Sequence, residues 1–215
     1  MKRRKRLFFD LDDTCVNTTE RVIEYINERI PSVNLKMEDI TDYNIELALP
    51  KEHRWIVDLA FKDKEMWKGV KLLPMCAEIL EQLWREQYEI FFATASLPEN
   101  LRKKINHFSR NTPFFPHGYV ERCTINIKDK YLLNGDILID DCLRHAIHPE
   151  RAYWSIIKDN PWNKLKEPIE RTVRAIDWND IYYNIHMIDK LISEQEEAED
   201  MFTKGLKDYV KERCL

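Results

Sequence analysis

Glycine is scarce in this chain, whose 215 residues contain only four. Phosphate loops of nucleoside triphosphatases and of dinucleotide-binding proteins need closely spaced glycines, and neither G-x-x-x-x-G-K nor G-x-G-x-x-G occurs. The sequence therefore excludes both of these glycine-based ways of binding a nucleotide.

Long apolar runs and paired cysteines are also missing. No window approaches the ~18 uninterrupted apolar residues of a membrane span, and the basic run 1–6 precedes too short an apolar stretch for a signal peptide. The five cysteines form no C-x-x-C pair, so neither a disulfide framework nor a zinc site is predicted. We expect a cytoplasmic protein with no membrane partner, in which residues 1–6 are a solvated lead-in to the first strand.

The chain also has no surplus of positive charge. Lysine and arginine number 34 against 38 acidic residues, which gives a net charge of -4. This balance provides no electrostatic reason to expect a nucleic-acid partner. The length suits one domain with a modest insertion rather than two full domains.

Short apolar runs end at three places on residues that suit phosphate chemistry. The runs are Leu7–Phe9 before Asp10, Ile90–Ala93 before Thr94, and Ile137–Ile139 before Asp140 and Asp141. Such runs are typical of strands buried on both faces of a parallel sheet, where ligands bind at the carboxyl edge. These polar residues are therefore expected to converge at one edge of a sheet.

Helical periodicity separates these strands, with further strands predicted at 119–127 and 153–157. Alternating strands and helices predict an α/β fold, a three-layer Rossmann-like parallel sheet. Residues 17–71 are too many for one crossover helix and predict a small helical cap inserted after the first strand. Its second helix is expected to carry Trp55, Ile56, Leu59 and Ala60 on one face.

The chain thus divides into a core, a cap and a tail. The predicted core comprises residues 1–16 and 72–185, the cap 17–71, and the helical tail 186–215. The tail either docks on its own domain, which we favour, or forms a dimer helix.

Carboxylates crowd the end of the first strand. Asp10, Asp12 and Asp13 fall within four positions, where uncompensated charge next to a buried strand would be costly. With Asp140 and Asp141 from another strand they predict an all-oxygen cation site, which favours Mg²⁺. Asp13 is expected to stabilise a turn rather than to react.

The chain resembles the haloacid dehalogenase (HAD) superfamily in four motifs. These are D-x-D-x-T at 10–14, a strand ending in Thr94, Lys130, and the acidic pair 140–141. Asp129-Lys130 followed by residues 135–141 resembles the 5'(3')-deoxyribonucleotidases within that superfamily, as do residues 154–157 with Asn160 and residues 178–181.

The resemblance implies a Mg²⁺-dependent phosphatase. Asp10 would be the nucleophile that forms an aspartyl-phosphate, and Asp12 the acid/base. The Asp10 carboxylate, the Asp12 backbone carbonyl and Asp141 would hold the metal, with Asp140 in support and Thr14 orienting Asp10. The transferring phosphoryl group would be bound by Thr94, the Ala95 amide and Lys130.

The implied substrate is a small phosphorylated molecule, most simply a (deoxy)nucleoside monophosphate. Tyr43 and Trp67 of the cap are candidates to stack its base. Two alternatives stay open: a HAD phosphatase for a sugar phosphate or a polynucleotide 3'-phosphate, and a phospho-acceptor module with slow turnover.

Overall fold

The computed structural model describes residues 3–164 and 168–213, with side chains described as far as residue 203. Six strands form its sheet. They are β1 (Arg6–Phe9), β2 (Glu89–Thr94), β3 (Thr124–Asn126), β4 (Ile137–Asp140), β5 (Trp154–Lys158) and β6 (Thr172–Ala175). All pair in parallel in the order β3-β2-β1-β4-β5-β6. The predicted three-layer α/β fold is confirmed, and β6 is a strand that the apolar pattern did not predict.

The register of the central strands explains why the polar residues meet. Phe9 of β1 pairs with Phe92 on one side and with Ile139 on the other. The residues that follow these positions therefore leave the sheet at its carboxyl edge. The apolar residues of β1 and β4 are buried, as is typical of parallel strands that are covered on both faces of the sheet.

Eight α-helices accompany the sheet in the part of the chain that the structure describes. They are α1 (Thr18–Arg29), α2 (Trp55–Lys62), α3 (Lys64–Gly69), α4 (Cys76–Arg85), α5 (Pro98–Asn111), α6 (Tyr119–Arg122), α7 (Leu143–Ala146) and α8 (Trp178–Arg213). Helices α1, α2 and α3 contact one another between β1 and β2, while α8 packs on β4, β5 and β6. No helix in the described ranges is long and apolar enough to cross a membrane.

Two adjacent linkers join the α1–α3 segment to the sheet. Val16 and Leu72 form an isolated antiparallel bridge, and Asn17 N–H donates to the Lys71 carbonyl at 3.0 Å. The Asn17 side-chain oxygen accepts from Lys71 N–H at 2.7 Å. The chain leaves the sheet and returns to it through these two hydrogen-bonded linkers, so residues 17–71 remain the proposed cap.

The predicted strand 119–127 is wrong in its first half. Residues 119–122 form helix α6, and only Thr124–Asn126 pair with β2. The Tyr119 ring packs against Trp84 and its hydroxyl donates to the Ile90 carbonyl at 2.7 Å, so a contact with the neighbouring strand stabilises the helical turn. The alternation of apolar residues could not show this contact.

Two further expectations are corrected by burial. Of the four residues predicted to share one face of α2, Ile56 and Ala60 are buried beside Val57, but Trp55 and Leu59 are 59% and 42% exposed. The basic lead-in is not fully solvated, because Lys5 is buried and its ammonium donates to Glu196 of α8 at 2.6 Å.

The first turns of α8 dock on the sheet. Trp178, Ile181, Ile185 and Ile188 are fully buried or nearly so. The helix starts at Trp178 and continues through the predicted tail boundary without a break. Trp178, Ile181 and Ile185 belong to the predicted core, and only Ile188 among these four lies in the predicted tail 186–215, whose docking stays a prediction.

Candidate active site

The loop after β1 is a tight turn closed by backbone hydrogen bonds. Cys15 N–H and Val16 N–H both donate to the Leu11 carbonyl at 3.0 Å. Asp13 has a φ of 54°, a left-handed conformation that aspartate tolerates better than most residues. Its carboxylate accepts from Thr19 N–H at 2.8 Å and from the Thr19 hydroxyl at 2.6 Å, so Asp13 joins the turn to the start of α1. That Asp13 takes no part in the chemistry stays a prediction.

Lys130 links the ends of β1 and β4. Its side chain is 3% exposed, and its ammonium donates to Asp10 and, at 2.8 Å, to Oδ2 of Asp140. Burial lowers the pKa of Lys130, but the charges of Asp10 and Asp140 outweigh burial and raise it, so Lys130 stays charged. A fixed cation therefore stands beside the predicted nucleophile.

Asp140 is fully occupied by protein donors. Besides Lys130, the Cys142 amide donates to its Oδ1 at 2.9 Å, and His145 Nδ1 lies 2.9 Å from its Oδ2. Burial raises the pKa of Asp140, yet the Lys130 charge and the His145 hydrogen bond outweigh burial and lower it. Asp140 is thus an anchor that orients Lys130.

Asp10, Asp140 and Asp141 form a compact acidic cluster. One carboxylate oxygen from each lies within 4.8 Å of the others, and all three residues are buried. Burial raises the pKa of Asp10 to about 7, and burial together with the Asp140 charge raises the pKa of Asp141 well above its ordinary value. This all-oxygen, electron-rich donor set fits a hard divalent cation such as Mg²⁺.

Asp12 points to different partners from Asp10. The Thr18 hydroxyl donates to Asp12 Oδ1 at 2.7 Å, and the Lys104 ammonium donates to Asp12 Oδ2. Lys104 is 8% exposed and lies 5.5 Å from the centroid of the Trp67 ring. The predicted acid/base is therefore held by a buried cation from α5.

Lys104 is a residue of the site that the sequence analysis did not predict. It lies on the same helical face as Leu101 and Phe108, three residues after one and four before the other. A lysine within an apolar helical stripe is the signal that could have identified it.

Two of the predicted phosphate-binding residues, Thr94 and Ala95, lie at the end of β2. Thr94 is fully buried, its Oγ1 lies 3.4 Å from Ser96 Oγ, and Ala95 borders the cleft that also contains Asp10 and Lys130. Thr14 departs from the expectation: its hydroxyl has no hydrogen-bond partner among the described residues, so the expected bond orienting Asp10 is not seen.

A cavity of about 420 Å³ lies beside Asp12, between the α1–α3 segment and the sheet edge. Tyr43, Phe61, Trp67 and Trp162 are its aromatic lining residues. Trp67 is buried with its indole N–H donated to the Phe61 carbonyl at 2.9 Å, whereas Tyr43 is 62% exposed at the rim. An aromatic-lined space thus adjoins the carboxylates.

Comparison with known proteins gives a family match over most of the chain. The profile described as "5' nucleotidase, deoxy (Pyrimidine), cytosolic type C protein" matches residues 4–192. Among curated relatives, 5'(3')-deoxyribonucleotidases of Bacillus subtilis (strain 168) and of Bacillus phage SPbeta are each 23% identical over 182 residues, covering 83% of this chain and 96% of the relative.

Solved structures share the fold at lower identity. A haloacid dehalogenase-like hydrolase from Xanthomonas campestris has a TM-score of 0.58 at 14% identity and covers 90% of this chain and all of its own. A HAD hydrolase of Bacillus subtilis bound to magnesium has a TM-score of 0.52 at 13% identity and covers 85% of this chain and 98% of its own.

Proposed function

The chain belongs to the cytosolic type C deoxy (pyrimidine) 5' nucleotidase family of HAD phosphatases, and from this premise we propose that it hydrolyses (deoxy)nucleoside monophosphates. It is a phosphomonoester hydrolase by family. The observation that supports the finer assignment is the position of the aromatic cavity, which adjoins Asp12 close to the Lys130-bound Asp10.

We assign the chemical steps to two carboxylates. An oxygen of Asp10 attacks phosphorus, so that an Asp10–phosphorus bond forms while the ester bond breaks, and Asp12 gives a proton to the leaving oxygen. Water then gives a proton back to Asp12 and attacks phosphorus of the aspartyl-phosphate, so that the Asp10–phosphorus bond breaks and inorganic phosphate and free Asp10 are released. Lys130, Thr94 and the Ala95 amide neutralise the phosphoryl oxygens in this proposal.

Mg²⁺ is the cofactor of this proposal. The Asp10 and Asp141 carboxylates and the Asp12 backbone carbonyl would hold it, with Asp140 in support through Lys130. When bound, the ion supplies positive charge for the phosphoryl oxygens. The HAD hydrolase of Bacillus subtilis that was solved with magnesium is consistent with this choice.

The substrate assignment depends on the cavity and on the relatives. The two curated relatives are named as deoxyribonucleotidases. Tyr43 and Trp67 are the proposed base contacts, since stacking on aromatic rings suits any nucleobase. A cytoplasmic location belongs to the same proposal and agrees with the free state of Cys15, Cys76, Cys123 and Cys142.

Phosphate release from a substrate panel tests the proposal. The panel contains 5'- and 3'-nucleoside monophosphates, deoxy and ribo, beside sugar phosphates and a 3'-phosphorylated oligonucleotide, each with Mg²⁺ or EDTA. Asp10→Asn is the matched variant, because it removes the nucleophile at nearly unchanged volume. We expect nucleotide turnover that is lost with EDTA and falls at least about a thousandfold in the variant, with the circular dichroism spectrum unchanged.

Other outcomes separate the parts of the proposal. Mg²⁺-dependent turnover confined to sugar phosphates or to the oligonucleotide keeps the mechanism and rejects the substrate. Substantial turnover by pure Asp10→Asn rejects the covalent mechanism. A lasting aspartyl-phosphate in the mass spectrum would favour a slow phospho-acceptor instead.

A further inference from the structure

Trp162 touches both the acidic cluster and the aromatic cavity. Its indole Nε1–H donates to Oδ2 of Asp141 at 2.8 Å, and Trp162 lines the 420 Å³ cavity that Trp67 also lines. The residue is half-buried and lies in the short 3-10 helix Pro161–Asn163, just after β5. One side chain thus connects a proposed metal ligand to the proposed substrate space.

The turn that carries Trp162 is fixed independently of the indole. Asn163 Nδ2 donates to the Asp141 carbonyl at 2.8 Å and to the Lys158 carbonyl at 2.7 Å. Arg174 donates to the Asn163 carbonyl at 2.8 Å and to its side-chain oxygen at 2.9 Å. The backbone near Trp162 is therefore pinned to Asp141 by Asn163, so removal of the indole N–H alone should leave the turn in place.

The indole N–H suits a carboxylate that must bind a cation. It is a donor only and carries no charge, so it can orient Asp141 without competing with a metal for position as a lysine would. Because the indole N–H binds Oδ2 of Asp141, Oδ1 of the same carboxylate is left for the ion. Groups that orient metal ligands in this way commonly raise metal affinity by about 10- to 100-fold.

We propose that Trp162 is a positioning residue that fixes Asp141 for metal binding and at the same time forms a wall of the substrate cavity. The inference rests on the proposed metal-dependent function. It assigns two separable effects to one side chain: the N–H acts on the metal, and the ring acts on the substrate.

Trp162→Phe isolates the first effect, because it keeps an aromatic ring and removes the donor. Trp84→Phe is the matched control, since Trp84 is also half-buried but packs on Phe115 and Tyr119. Mg²⁺ affinity is measured by calorimetry on the unreacted protein, without any nucleotide. We expect Trp162→Phe to weaken Mg²⁺ binding about 10- to 100-fold and Trp84→Phe to leave it within about twofold.

Kinetics separate the second effect. With p-nitrophenyl phosphate and saturating Mg²⁺, Trp162→Phe should regain kcat within a few-fold of the wild type. Trp162→Ala removes the wall as well and should raise KM for the nucleotide found in the panel more than Trp162→Phe does. Equal KM values for the two variants would overturn the assignment of the ring.

A measurement on the wild type avoids dependence on the stability of any variant. Addition of Mg²⁺ to ¹⁵N-labelled protein should shift the indole N–H resonance of Trp162, identified by its absence from Trp162→Phe or by sequential assignment. A resonance that stays fixed, or Mg²⁺ affinity unchanged in Trp162→Phe, overturns the inference while leaving nucleotide hydrolysis intact. A wild type that hydrolyses nucleotides but binds no Mg²⁺ would overturn the metal part of the proposed function and this inference with it.

Discussion

Lys104 sets the electrostatic surroundings of Asp12. A buried ammonium that donates to a carboxylate fixes its direction. The Thr18 hydroxyl donates to the other oxygen of Asp12 at 2.7 Å, so both oxygens of the proposed acid/base have a protein donor. This arrangement makes the position of Asp12 depend on helix α5.

Replacing Lys104 by Met should lower kcat about 10- to 100-fold, because Met keeps the apolar stem but leaves Asp12 with one donor instead of two. Steady-state kinetics at saturating Mg²⁺ measure the effect. Arg102→Met is the control, since Arg102 is exposed on the same helix. Wild-type kcat in Lys104→Met would show that the ion pair has no part in turnover.

The raised pKa values of Asp10 and Asp141 predict a pH-dependent response to Mg²⁺. Burial raises the pKa of Asp10 to about 7, so without metal the folded state loses stability as pH rises from the ordinary carboxyl range to about 7, where the loss levels off. A cation binds the ionised carboxylates, so its affinity rises over the same range.

The gain in melting temperature caused by Mg²⁺ over EDTA should therefore widen between about pH 6 and about pH 8. Thermal unfolding at several pH values measures it. Asp10→Asn removes one titrating group and should flatten the dependence. A gain that is constant with pH would contradict the pKa direction for this cluster.

Single residues differ in how far the sequence predicts them. Asp10, Thr94 and Asp140 could be placed together beforehand, because each lies at or just beyond a strand end and parallel strands share an edge. Lys130 was placed there by the family resemblance. Lys104 could not, since its contact with Asp12 spans 92 residues and depends on how α5 packs. The Trp162 contact is equally nonlocal, and neither residue carries a motif.

Among the secondary-structure elements, the cap segment contributes the aromatic side of the cavity. Trp67 is buried in α3, its N–H is satisfied by Phe61, and its ring lies near Lys104. Trp55, on the neighbouring α2, is largely exposed. The two tryptophans of one segment therefore offer a matched comparison.

Trp67→Phe should raise KM for nucleotides about three- to tenfold with kcat nearly unchanged, because a smaller ring with no N–H gives a base less stacking surface. Trp55→Phe should leave both constants unchanged. Initial rates over a nucleotide concentration series measure them. A KM that rises equally in both variants would point to a general loosening of the cap.

Elements were predictable where burial on both faces made the pattern strong. Strands β1 and β4 are short apolar runs, and the sequence places them almost to the residue. Helix α6 was mistaken for strand because its four residues are too few for helical periodicity to appear. Strand β6 was missed because it is only partly buried, with a pattern that carries little apolar signal.

At the scale of the whole molecule, α8 contacts the segment that precedes β1. Lys5 is buried and donates to Glu196 at 2.6 Å, while Arg3 bonds both Asp136 and Glu196. The hydrogen bond from Lys5 lowers the pKa of Glu196. Contacts separated by 191 residues in sequence thus close the fold at the end of the sheet away from the carboxylates.

Glu196→Gln should lower the free energy of unfolding by about 1 kcal/mol, because a buried ammonium loses its charged partner while partial exposure of Glu196 screens part of the loss. Urea unfolding measures the change, and Glu199→Gln, exposed one turn further along α8, is the control. Activity should stay at the wild-type level, since the pair is remote from Asp10. Equal stability of the two variants would mean that water solvates Lys5 as well as Glu196 does, and that the packing of Ile181, Ile185 and Ile188 alone holds α8 in place.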